Sequence, residues 1–278
     1  MLTVLLGLLA ALAYALSDWL SQRVTRGGAT VVSALTWILT TGALVTLPVA
    51  LLLGGLPHGD AAWRALGYAA LGGAVYLVAY SSLLRGLRRG SLSVITPLAS
   101  LQGASGAVLA ILIGERVHSL TAVGLALAVL GAVMAAMQRG RRTAAGAGWG
   151  LFAALTFGVV LVLYGAATAV PAVAAVAVSR VVSLALVTPL AVRRGVHVPR
   201  DLRLTAVLSG ALEAGGFFAL VTAVSRGPVA VASVLVAQFA TFAVVLGLVA
   251  NRERPARRQL AGVVITVVAV TVLAVAQS

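Results

Sequence analysis

The sequence predicts an all-α integral membrane protein of ten transmembrane helices, arranged as two inverted five-helix repeats. Three observations carry this expectation. Of the 278 residues, 61% are hydrophobic and only 9% charged, with a mean hydropathy of +1.10. A soluble chain of this length has too little interior to hide so much apolar surface. Apolar runs recur along the chain, each close to the roughly 20 residues that cross a bilayer as a helix. The third observation is a repeat: residues 85–136, a basic loop, an apolar span, a charged break and another apolar span, are restated by residues 226–275. Arg89-Gly90 matches Arg226-Gly227, and Val94 and Leu98 match Val231 and Leu235. With one inserted residue, Glu115-Arg116 matches Glu253-Arg254. A period of half the chain means two copies of one unit, the usual build of a secondary transporter.

The apolar runs fall at 3–21, 30–54, 64–84, 91–113 and 119–137, then at 147–168, 171–192, 204–225, 228–250 and 258–276. Each is expected to cross as a helix, because a helix satisfies its own backbone in lipid. The first run lacks the basic start of a signal peptide. Its GLLAAL (7–12) recurs as GLFAAL (150–155), so it reads as a retained span. Pro97 lies inside the fourth run and is expected to kink it. Pro228 suits the first turn of the ninth. The expected units are 1–138 and 147–278, joined by a linker over 139–146.

An odd number of spans per unit turns the second copy over. The arginines test this, since basic residues favour cytoplasmic loops. All 20 basic residues are arginine. Sixteen lie in the odd-numbered gaps, three (Arg64, Arg116 and Arg226) in the even-numbered ones, and Arg180 lies inside the seventh run. In every pair of equivalent gaps the bias reverses. The odd gaps are therefore expected in the cytoplasm and both termini outside. The net charge of +14 would suggest nucleic acid in a soluble domain. Here the arginines sit in short gaps between spans, so no nucleic-acid partner is expected. Cysteine is absent, and His58, His118 and His197 fall far apart in connecting segments. No cofactor and no metal site are expected.

Four segments resemble a known family: 87–98 (LRRGSLSVITPL), 113–124 (IGERVHSLTAVG), 225–235 (SRGPVAVASVL) and 251–262 (NRERPARRQLAG). In their order, spacing and repetition they are similar to the drug/metabolite transporter superfamily, EamA type. The second break departs from the pattern, with no glycine before Glu253. The resemblance implies a permease for small metabolites, amino acids or drug-like solutes, working by alternating access with no nucleotide site. It implies export or exchange; a multi-pass protein of a bacterial inner membrane, monomer or homodimer, is expected, and Glu213 inside a span makes a proton a candidate coupling ion.

Charged side chains in a bilayer each need a reason. Glu213, in the eighth run, stands opposite Tyr76 in the repeat, and Phe217 opposite Tyr80. Tyr76 and Tyr80 are one turn apart and share a face, as do Glu213 and Phe217. Glu213 reads either as a cation ligand or proton carrier in a cavity wall, or as an ion-pair partner of Arg180. Arg180 reads as a receiver of a substrate carboxylate or phosphate, or as that partner. Asp18, four residues after Tyr14, reads as a lining acid or as an interfacial acid beside Trp19. The small and polar stripes of runs four and nine (Ser93, Thr96, Ser100; Ser233, Gln238, Thr241) suit close helix packing. Thr96 and Gln238 are the best lining candidates among them, and Trp37 is a further one in the second run.

A membrane-embedded enzyme would need a His, Cys, Ser or metal constellation that the sequence lacks. A lipid or lipid-linked sugar flippase is the alternative function. The expected site lies at mid-membrane between the halves, lined by spans 1, 3, 4, 6, 8 and 9, with Arg180 reaching in from span 7.

Overall fold

The computed structural model describes residues 2–53, 58–114, 119–136 and 146–250, with scattered positions between 257 and 272. The breaks at Glu115-Arg116 and Glu253-Arg254, linker residues 139–145 and most of the tenth run lie outside the described residues, as do the side chains of Ser93 and Ser233. Within them the chain is all helical, in the order α1 (Leu2–Arg26), α2 (Val31–Leu53), α3 (Gly59–Arg89), α4 (Leu92–Ser100), α5 (Gln102–Leu112), α6 (Ser119–Ala136), α7 (Ala147–Gly165), α8 (Ala172–Arg194), α9 (Arg203–Arg226), α10 (Val229–Val236) and α11 (Phe239–Ala250). Among the described residues, seven helical stretches are long and apolar enough to cross a membrane, Val94–Leu112 among them.

The helices outrun the apolar segments where polar flanks extend them. The α3 helix gains Asp60 in its first turn and Arg88 and Arg89 in its last, where charges suit the helix dipole. Its 31 residues give a length of about 46 Å, more than the hydrocarbon core, so both ends stand clear of it. The α8 helix stops at Gly195, whose φ of +72° suits a residue without Cβ. Outward faces carry Leu51, Leu52 and Leu112, each at least 75% exposed, as lipid contact requires.

Beyond Pro97, where a kink is expected, the helix breaks four residues further on. Pro97 sits within α4, and the helix is interrupted at Leu101. Ser100 Oγ donates to the Pro97 carbonyl at 2.7 Å, and the Leu101 amide bonds the nearer Leu98 carbonyl. A hydroxyl competing for a backbone acceptor is a recognised cause of such interruptions. The span comprising α10 and α11 breaks at Ala237-Gln238, the matching place in the repeat, where Val234 stands in the position of Pro97. The break is a shared feature of the two copies.

Helix contacts come in exchanged pairs. The α1 helix packs on α9 as α7 packs on α3, and α2 on α9 as α8 on α3. The α10 helix packs on α5, and α11 on α4, so these two broken spans run antiparallel. Glycines match too. A Cβ on Gly73 would stand 2.5 Å from the Ser179 carbonyl, and one on Gly210 would stand 2.8 Å from the Ile38 carbonyl. Gly73 and Gly210 are equivalent in the repeat, and each lets its helix touch the backbone of its neighbour. The neighbours α8 and α2 each carry an internal proline, Pro189 and Pro48. Small residues such as Ala10, Ala11 and Ala15 fill the remaining seams with no exposure.

Candidate functional site

Six spans converge on one internal cavity. The α1 helix supplies Tyr14, Ser17 and Asp18; α3 supplies Tyr76, Tyr80 and Leu83; α7 supplies Phe157, Val160 and Leu161; α9 supplies Glu213, Phe217 and Leu220. Gln102 and Phe239 complete it, each at the first residue after a break, at the heads of α5 and α11. These are spans 1, 3, 4, 6, 8 and 9. The cavity measures about 40 Å³, room for a few waters and too little for a metabolite.

The lining resolves into equivalent pairs: Tyr14 with Phe157, Ser17 with Val160, Asp18 with Leu161, Tyr76 with Glu213, Tyr80 with Phe217, Leu83 with Leu220, and Gln102 with Phe239. The backbone around the cavity is thus near-symmetric while its chemistry is not. Tyr14, Ser17, Asp18, Tyr80 and Gln102 come from the first copy and have apolar counterparts in the second, while the counterpart of Tyr76 is the acid Glu213.

Glu213 is 1% exposed and its Oε1 accepts from two donors. One is the Tyr76 hydroxyl. The other is Arg180 Nη2 at 2.5 Å. The Arg180 guanidinium lies over two adjoining rings, 4.7 Å from the centre of Tyr76 and 4.4 Å from that of Phe217, which are themselves 5.1 Å apart. It is fully buried yet does not line the cavity; it stands behind Glu213, alongside Gly42. One nitrogen of its fork meets one carboxylate oxygen, and both rings offer it their π-faces.

Asp18 is 3% exposed and lines the cavity beside the buried Thr96. Next to it runs a hydroxyl cluster. Ser17 Oγ donates to the Ser209 carbonyl at 3.0 Å, the Ser209 and Ser21 hydroxyls are 2.8 Å apart, and Ser21 lies 3.3 Å from the Tyr80 hydroxyl. Several buried polar atoms have no hydrogen-bond partner among the described residues: Asp18 Oδ2, Glu213 Oε2, Thr96 Oγ1, and Nε and Nη1 of Arg180. Among the described residues no three His, Cys, Asp or Glu side chains gather where they could hold a metal ion.

The structure therefore brings together Asp18, Tyr76, Tyr80 and Glu213 as lining, with Arg180 and Thr96 just behind. Gln238 is buried at the second break, next to the lining Phe239. Trp37 packs partly buried against the core and is not among the lining residues. Ser209, Gln102, Phe157 and Phe239 were not singled out from sequence. Ser209 lies one turn before Glu213, and the other three are repeat partners or neighbours of residues that were, so the repeat register carried the signal.

A family described as the EamA-like transporter family matches residues 1–137 and again 144–275. No curated protein matches the sequence. One solved crystal structure, named simply as that of a protein, superposes with a TM-score of 0.77 at 18% identity, covering 98% of each chain. At that identity the likeness speaks for the fold alone.

Proposed function

The chain belongs to the EamA-like transporter family, and from that premise we propose a secondary active transporter that exports a small solute by alternating access. The working units are the two five-helix halves, 1–138 and 147–278, inverted with respect to each other and joined by 139–146. The observation that carries this reading is the cavity lined pairwise by equivalent positions of the two copies. A site placed on the axis relating two inverted halves is reached from either face when the halves rock about it. A cavity of about 40 Å³ suits an occluded stage of such a cycle. Asp18 is the candidate coupling acid, since Glu213 is already paired with Arg180, and both termini face outside, as the arginine distribution favours.

The test is movement of a labelled panel of amines, amino acids and organic acids by the purified protein in proteoliposomes, with and without an imposed pH gradient. Movement of one class that follows the gradient is the expected result. Failure of every panel member to cross faster than in protein-free vesicles would overturn the proposal.

A further inference from the structure

The cavity wall is acidic and aromatic, and no basic side chain lines it. Glu213 is balanced, because Arg180 holds its Oε1 from behind. Asp18 is not: it is 3% exposed, its Oδ2 has no hydrogen-bond partner, and no cationic side chain pairs with it among the described residues. A carboxylate held out of water keeps its proton unless a counter-charge replaces it. Aromatic residues make up 5% of the chain yet six of the fourteen lining positions. Ring faces attract cations, and two of these rings, Tyr76 and Phe217, already do so toward Arg180.

We infer that the transported solute is a small organic cation carrying one positive charge, which Asp18 balances inside the ring-lined cavity while Glu213 and Arg180 form a fixed, neutral pair in its wall. This deepens the transporter reading and rests on it. One charge is set by one uncompensated acid. The organic character is set by the rings, since inorganic cations require a shell of oxygen ligands. An anion would meet Asp18 directly and would have to part Tyr76 from Phe217 to reach Arg180. The cation enters when the halves separate, because the cavity as it stands admits only a few waters.

The test is isothermal titration of the full-length protein in detergent micelles with three probes that share a phenyl ring: benzyltrimethylammonium, phenylalanine and 3-phenylpropionate. The ammonium is expected to bind at least about tenfold more tightly than the propionate, with phenylalanine between. Asp18→Asn is expected to lose about tenfold or more of the ammonium affinity, and Asp18→Glu to retain most of it. Equal or tighter binding of the propionate overturns the inference, as does no binding of the ammonium or an unchanged affinity in a folded Asp18→Asn protein. The charge series on the unmodified protein decides the matter even if Asp18→Asn does not fold. Proteoliposomes that carry phenylalanine or phenylpropionate but neither bind nor carry the ammonium would sink the cation and leave the transporter standing. Proteoliposomes that carry nothing in the wider panel would sink both.

Discussion

Tyr76 and Glu213 occupy the same position in the two copies, 137 residues apart, and meet each other: the phenol donates to the carboxylate. Residues related by a two-fold axis touch only close to it, so in the inverted-repeat arrangement proposed above this contact marks the axis. The same carboxylate takes Arg180 from a third helix, which ties α3, α8 and α9 together at one oxygen atom.

Removing the charge from Glu213 strands a buried guanidinium. Glu213→Gln is expected to destabilise the protein by about 3–5 kcal/mol, the usual loss when one partner of a buried pair is deleted. Replacing both residues by leucine should recover most of that. Unfolding midpoints in micelles report both, and a double variant as unstable as Glu213→Gln would rule out a mainly electrostatic cause.

Tyr76 serves Glu213 through its hydroxyl and Arg180 through its ring. Tyr76→Phe keeps the ring and is expected to lose about 1.5–3 kcal/mol, as for a hydrogen bond to a charged group. Tyr76→Leu should lose more, since the stacking goes as well. Equal losses in the two variants would mean that the ring contributes nothing.

The close approaches at Gly73 and Gly210 are onto backbone, which cannot step aside. Gly73→Ala and Gly210→Ala are each expected to lower stability by about 1–3 kcal/mol, Gly73→Ala the more, as its contact is the closer. Gly67→Ala and Gly215→Ala, where a Cβ meets nothing within 4 Å, are the controls and should be neutral or stabilising. Wild-type melting of Gly73→Ala would show that α3 and α8 are not held at this spacing.

A chain without cysteine invites site-directed labelling. His58 and Arg200 are both exposed and lie in gaps of opposite arginine bias. With the odd gaps cytoplasmic, His58→Cys is expected to react with a membrane-impermeant maleimide in intact cells, and Arg200→Cys only after permeabilisation. The reverse pattern would turn the protein over in the membrane.

Much of this was legible in the sequence because a bilayer simplifies the code. Apolar length marks helices, and a charge at depth marks a site, which is how Asp18, Arg180 and Glu213 stood out. That Tyr76 and Glu213 are equivalent followed from the repeat register; that they touch did not. Two things did not follow. The break at Leu101 depends on a hydroxyl reaching a particular carbonyl, and a proline four residues earlier drew attention away from it. Whether Arg180 faces the cavity or stands behind it depends on rotamers and on two rings from different helices, which no periodicity encodes.

A carrier of two identical, inverted halves would have inward- and outward-open forms of equal energy, since each is the other turned over. The lining of this protein departs from that degeneracy at six of its seven equivalent pairs, Leu83 with Leu220 alone being alike. On the alternating-access cycle proposed above, the side chains of the site therefore set which way the empty protein rests. A handful of substitutions between equivalent positions would be enough to tilt that balance, with no helix redesigned.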